Sequence, residues 1–225
     1  MNIALHGPQL QRRLSVGPYD RLYAARPDNI LWGDNPSRVV QKFLEKSVND
    51  GLVLDAGCGD GANSVALERN GFSVVGLDIS SLALRGLMNR FARHKQRCVG
   101  TYFNEDVNDF ILGQQYFEFD CIVSCGLFHC LANERRVRSH RLLLERFLRP
   151  GGTFLFSSLT NEIPLPVDHK TPGIYLPALD EIYKILDGME IMHSEAGAID
   201  DSHAPIIGHH RHSVFWAIAR QHRTH

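Results

Sequence analysis

Along the middle of the chain, short apolar runs alternate with segments whose apolar residues recur at helical spacing. Leu52-Val-Leu54, Ser73–Leu77, Phe119–Ser124 and Thr153–Ser157 read as strands, and Cys98–Phe103 as a weaker one. This alternation predicts βαβ units joined by right-handed crossovers, hence an α/β fold with a parallel sheet and helices on both faces. Upstream, a polar, Pro-broken stretch runs to Pro36. It gives way to Ser37–Lys46, where Val39, Val40, Phe43 and Leu44 recur at helical spacing and Ser37 suits an N-cap. Downstream, Pro164, Pro166, Pro172 and Pro177 exclude a long regular element across 161–178, which reads as an excursion over the top edge of the sheet. Leu179–Leu186 predicts a short helix, followed by strands near Glu190–Ala196 and Ser213–Ala219.

The chain has 225 residues, 44% of them hydrophobic, which suits a single α/β domain over 1–225. Twenty-four Lys and Arg against 25 Asp and Glu leave no whole-molecule field for nucleic acid or an anionic membrane. The start has no basic region leading into an apolar core, and no apolar run approaches the ~18 residues of a membrane span. Five cysteines form neither an even framework nor a CxxC pair, so reduced thiols and a cytoplasmic setting are expected. The arginines between Arg135 and Arg149 are interleaved with Val137, Leu142, Leu143, Leu144, Phe147 and Leu148, which reads as an amphipathic helix with a solvated face.

Candidate chemistry starts at Asp55-Ala-Gly-Cys-Gly-Asp-Gly61, a glycine-rich turn between a strand and a helix. Glycine tolerates positive φ and leaves room for a ligand against the backbone. Gly57, Gly59 and Ala62 also satisfy the looser dinucleotide pattern, with Asp78 near the distance where an acid would meet a ribose, so the turn alone fits NAD too. Asp55 argues otherwise, because a carboxylate at the strand's end suits the cationic amino group of an amino-acid ligand and repels a pyrophosphate. Asp78 ends the second strand, where its two oxygens can accept from two ribose hydroxyls. After the third strand, Glu105-Asp106-Val107 offers an acid for an adenine amino group and an apolar cover for the ring. Asp78 and Asp106 also suit plain helix or turn caps.

With Phe119–Ser124 and Arg149-Pro-Gly-Gly152 before the fifth strand, this ordered set resembles the class I methyltransferases that use S-adenosylmethionine (SAM), over about residues 50–160. The resemblance implies a seven-stranded, mostly parallel Rossmann-like sheet with a reversed last strand, and an N-terminal helical lid over 1–48. It implies SAM as cofactor and S-adenosylhomocysteine (SAH) as product. Asp55, Gly57, Cys58, Gly59, Gly61 and Asn63 would then surround the amino-acid end, Asp78 and Ile79 the ribose, and Asp106 and Val107 the adenine. Cys125, at the end of the fourth strand, joins this set. Tyr23 or Trp32 of the lid would bring an aromatic face to the sulfonium, with plain packing as the alternative. Trp32-Gly33 and Pro36-Ser37 resemble elements of small enzymes that methylate thiols or chalcogen oxyanions.

In an open α/β sheet the residues after the fourth strand face the reacting group. His129 lies there, suited either to proton transfer and acceptor orientation or to helix packing. Six of the twelve histidines fall at or after His203, and His209–His212 leads into the last strand. Alternation sends His210 and His212 to one side and His209 to the other. Three readings stay open for this cluster: a general base at His210 or His209, a metal site with Asp200 or Asp201, and a solvated loop. No metal ligand set is assigned. The expected activity is methyl transfer to an O, N or S atom of a small metabolite by a monomer or homodimer, without nucleic-acid or membrane partners. Methylation of a protein or peptide, and SAM binding without transfer, are the rival readings.

Overall fold

Seven strands give the sheet its frame: β1 (Leu52–Ala56), β2 (Ser73–Asp78), β3 (Thr101–Asn104), β4 (Phe119–Cys125), β5 (Leu148–Thr160), β6 (Met189–His203) and β7 (Ile207–Gln221). The computed structural model describes residues 18–46, 50–113, 118–164, 174–203 and 207–222. The strand order is β3-β2-β1-β4-β5-β7-β6. Neighbours from β3 to β5 pair in parallel, and β7 runs antiparallel to both β5 and β6. The expected reversed last strand is present.

Side chains on successive strand residues point to opposite faces, and this alternation builds two core layers. Val53, Val74, Cys121, Val123, Leu155 and Trp216 face one layer. Leu54, Ala56, Leu77, Ile122, Phe154 and Phe156 face the other. The first layer is closed by α2 (Arg38–Leu44), α3 (Ala62–Arg69) and α4 (Ser81–Arg93). The second is closed by α5 (Val107–Gly113), α6 (Asn133–Phe147) and α7 (Leu179–Leu186). A short helix, α1 (Pro18–Ala24), lies before α2 in the lid segment. In α6 the expected amphipathic pattern holds: Leu143, Leu144 and Phe147 are buried and Arg135 and Arg138 exposed. Arg136 departs from it, buried and forked onto Glu181 of α7.

Two expectations need correction. Ser37 occupies the N-cap position of α2, but its hydroxyl makes no cap bond and instead meets Cys125 Sγ at 3.2 Å. The last two strands are 15 residues each, far beyond Glu190–Ala196 and Ser213–Ala219. Only Ser213–Arg220 of β7 pairs with β5, while residues 207–212 continue paired to β6 as a two-stranded ribbon past the end of β5. His209, His210 and His212 therefore belong to a strand, not to a loop before one. Of the 161–178 excursion, 165–173 lie outside the described residues. Its near end is held where Asn161 N donates to Pro177 O (2.9 Å) and Ile163 N to Ser213 Oγ (2.9 Å).

The short edge strand β3 is held by a buried carboxylate from α3. Glu68 accepts from Val99 N (2.9 Å), Gly100 N (3.1 Å) and Tyr102 Oη (2.6 Å). Glu68→Ala strands these donors and is expected to cost about 2–4 kcal/mol, against about 1 for Tyr102→Phe. Urea unfolding measures both, and a Glu68→Ala cost no larger than that of Tyr102→Phe refutes the fastening role.

Candidate active site

The chain leaves β1 through three glycines with left-handed backbone, Gly57 (φ 72°), Gly59 (φ 55°) and Gly61 (φ 83°). A non-glycine residue adopts this conformation only at a cost. The turn folds back on β2: Gly57 N and Cys58 N both donate to Leu77 O, and Gly59 N donates to Asp78 Oδ2 (2.9 Å). It also touches the segment after β4, since a Cβ on Gly57 would lie 3.1 Å from Leu127 Cβ.

Two carboxylates flank the turn. Asp55 is 1% exposed, and its Oδ2 accepts from Ser64 Oγ (2.6 Å). Its Oδ1 is buried with no hydrogen-bond partner. Burial pushes the Asp55 carboxyl up to about 7 against the Ser64 bond, and Asp78 adds to the rise. Asp78 accepts from Ser80 N (2.8 Å) and Gly59 N, and burial raises it to about 6 despite those bonds. A buried acceptor without a donor is costly, so an orphan oxygen beside an open-backbone turn marks the place for a donor from outside the protein. The residues fit the amino-acid end of SAM on that observation.

The remaining cofactor candidates divide. Ile79 is 67% exposed at the end of β2, an apolar surface suited to a ligand ring, whereas Val107 is buried. Asp106 Oδ1 accepts from Asn108 N (2.8 Å) and Asn108 Nδ2, so this oxygen caps the start of α5. Cys58 is buried against Gly76, and burial pushes its thiol well up, which leaves it a small turn residue and no nucleophile. Asn63 Oδ1 accepts from Ser37 N (2.8 Å), and Cys125 meets Ser37 Oγ, so they tie the entry of α2 to α3 and to the end of β4. Tyr23 and Trp32 come together over the turn. Trp32 Nε1 donates to Tyr23 Oη (3.2 Å), and a Cβ on Gly59 would lie 3.0 Å from that oxygen.

On the acceptor side, His129 is buried and its Nδ1 accepts from Leu159 N (3.1 Å). The neutral ring therefore carries its proton on Nε2. Burial, with His212 and Arg136 nearby, depresses it to about 3. This makes His129 a hydrogen-bond donor and a poor base. His210 and His212 converge as alternation required, Nε2 to Nε2 at 2.7 Å, with His212 buried. His209 is exposed on the other side of the strand. Among the described residues no group of three His, Cys, Asp or Glu could hold a metal ion.

Several contacts here left little trace in the sequence. Tyr19 Oη donates to Cys130 Sγ (2.9 Å) and Ser80 Oγ to Asp20, so α1 bridges the ends of β2 and β4. His140 donates through Nδ1 to Arg136 O (2.9 Å) and accepts from Ser124 Oγ (2.8 Å), with burial lowering it to about 4. Asp60 and Arg90, side by side at the back of the turn, are the strongest omission. In the sequence Asp60 is a spacer of the glycine-rich motif, and Arg90 a polar residue between Leu87 and Phe91 of an apolar helix face.

A model of the methyltransferase domain family matches residues 53–152. A 2-heptyl-1-hydroxyquinolin-4(1H)-one methyltransferase of Mycobacteroides abscessus is 30% identical over 133 residues, 59% of this chain and 56% of that one. Residues 53–152 are thus similar to methyltransferase domains, and the sheet they build has the class I methyltransferase fold. The chain spans about half the length of the curated relatives it matches. Two solved structures share the fold of this chain. One, solved for the conversion of a disulfide bond into a thioacetal group during echinomycin biosynthesis, has a TM-score of 0.66 at 21% identity, covering 92% of this chain and 90% of that one. The other, the N-methyltransferase NodS of Bradyrhizobium japonicum WM9 with SAH, scores 0.64 at 18% identity, covering 91% and 98%. Among the described residues no helix is long and apolar enough to cross a membrane.

The raised Asp55 makes a pH signature. Below about pH 4, the ordinary carboxylate range, Asp55 is neutral folded or unfolded. Above it the unfolded chain ionises first, while the folded domain keeps the proton to about 7. The folded state thus loses stability from this group as pH rises from 4 to 7. The melting temperature of Asp55→Asn minus that of the ligand-free wild type should grow across that window and level off above it. Taking the difference cancels His129 and His140, whose depressed values act in the opposite sense. A flat difference refutes the assignment.

Proposed function

We propose that the chain transfers the methyl group of SAM to an O, N or S atom of a small metabolite. The partnerless, buried Oδ1 of Asp55 carries this reading, because the cationic amino group of SAM is the donor it lacks. Bound SAM would supply an electrophilic methyl on a sulfonium. The chain's own residues hold and shield it: Asp55 and the glycine backbone at the amino-acid end, Asp78 at the ribose, and Ile79 and Val107 along the ring, with the second oxygen of Asp106 toward the adenine. Tyr23 and Trp32 cover the turn at Gly59, with α1 strapped across the crevice. The domain acts as one unit with its lid (1–48) and its excursion (161–178).

On the acceptor side, His129 presents Nε2–H to orient an acceptor lone pair. The His210–His212 pair takes the proton, since the ring that donates through Nε2–H across their shared bond keeps its basic lone pair on Nδ1. Aligning acceptor and methyl in line supplies most of the rate in such a displacement. The hydroxyquinolinone for which the Mycobacteroides abscessus relative is named supports a compact acceptor over a protein or peptide.

Calorimetry with SAM, SAH and NAD tests the cofactor. SAM and SAH should bind, NAD should not, and Asp78→Ala should weaken SAH at least tenfold. Binding of NAD in place of SAM overturns the reading. In a screen of small O-, N- and S-nucleophiles, His210→Ala and His129→Ala should each lower turnover at least tenfold with SAH affinity unchanged. Unchanged turnover in both removes the histidine roles. SAM that binds but is never consumed favours a binding module.

A further inference from the structure

Arg90 lies fully buried in the last turn of α4, and every one of its five guanidinium hydrogens has an acceptor. Nε donates to Asp60 O (2.9 Å), Nη2 to Asp60 Oδ1 (2.8 Å) and Trp32 O (2.9 Å), and Nη1 to Gly33 O (3.0 Å) and Asp34 Oδ1 (2.9 Å). The second oxygen of Asp60 accepts from Leu31 N (2.6 Å) and Trp32 N (2.8 Å). One ion pair thus gathers the backbone of three consecutive lid residues, 31–33, with the side chain of Asp34, and fastens them to the glycine-rich turn.

The neighbouring backbone is seated just as tightly. A Cβ on Gly86 of α4 would come within 2.0 Å of Asn29 O, and Asn89 Nδ2 donates to Asp28 O (2.7 Å). The strap 28–34 therefore has one position against α4, with Asn29 held at φ 55°. A buried ion pair is a weak source of stability, because desolvation offsets its attraction, and its better-attested use is to fix a single geometry. The geometry fixed here is that of Trp32, whose indole N–H holds the Tyr23 hydroxyl over Gly59.

We infer that Asp60 and Arg90 are positioning residues for methyl transfer, acting through Trp32 and Tyr23 to set the lid wall of the cofactor site. This rests on the reading that the glycine turn holds SAM. Neither side chain needs to touch the ligand. The pair converts the position of the turn into the position of the lid.

Arg90→Lys keeps the charge, but its three hydrogens cannot meet five acceptors. Asp60→Asn keeps the size but loses the charged bond. Each should weaken SAH binding about tenfold by calorimetry while retaining a cooperative thermal melt. Because the effect runs through Trp32, Trp32→Phe should reproduce it, and Arg90→Lys combined with Trp32→Phe should be no weaker than Trp32→Phe alone. A merely structural Arg90 would give additive losses. With Trp216→Phe as background, Trp32 is the remaining indole, and its emission should shift on SAH addition and lose that shift in Asp60→Asn. If Trp216→Phe does not fold, the calorimetric cycle decides alone. Wild type that fails to bind SAH sinks the cofactor reading. Wild type that binds, with single variants that bind equally well or a cycle that is additive, overturns the positioning role.

Discussion

The sheet changes its winding direction between β1 and β4, and the site follows from that change. From β1 the chain moves outward to β2 and β3, then crosses back to β4 and builds toward the opposite edge. Right-handed crossovers put α3 and α4 on one face and α5 and α6 on the other, so the connections leaving β1 and β4 diverge. A crevice is left at the strands' carboxyl ends. The glycine turn forms one lip, and Leu127, His129 and Cys130 form the other. Asp78 closes one flank from β2, and α1 spans the gap from Ser80 to Cys130.

The parts of this arrangement that were legible share a cause. Strands buried on both faces write continuous apolar runs, and a turn that must run through left-handed backbone writes glycines, so β1, β2, β4 and the turn could be read directly. Leu179–Leu186 was legible to the residue because its apolar positions keep helical spacing. The ribbon of β6 and β7 was not, since its outer half is held by backbone pairing while polar residues such as Ser194, Asp200 and Arg211 interrupt any side-chain pattern. Arg90 and His140 were hidden for another reason. A polar residue inside a helix looks like a surface residue until its partner is known, and Arg90 finds its partners 30 to 58 positions away.

Burial also sorts the site electrostatically. It disfavours the charged form of any group, so it raises the carboxylates and lowers the imidazoles. Asp55 and Asp78 move up toward neutrality on the β1–β2 side, while His129 and His140 move down to neutral rings on the β4 side. At neutral pH the two imidazoles are uncharged and Asp78 is mostly ionised, while Asp55 is poised near the pH at which it ionises. Arrival of a cation on the carboxylate side would pull Asp55 into its charged form and satisfy the orphan oxygen in the same step.

That asymmetry matches the charge balance of methyl transfer under the proposed reading. The sulfonium loses its positive charge as its methyl leaves, and a neutral acceptor must shed a proton. The carboxylates need only hold the amino group, whose charge does not change. The proton has to leave on the other side, and His129 cannot take it because its Nδ1 lone pair is already committed to Leu159 N. The proposed route is the His210–His212 pair, which the hairpin carries on the ribbon beyond β5. A hairpin ending with β5 would leave the acid side of the crevice intact and remove the base proposed for the acceptor side.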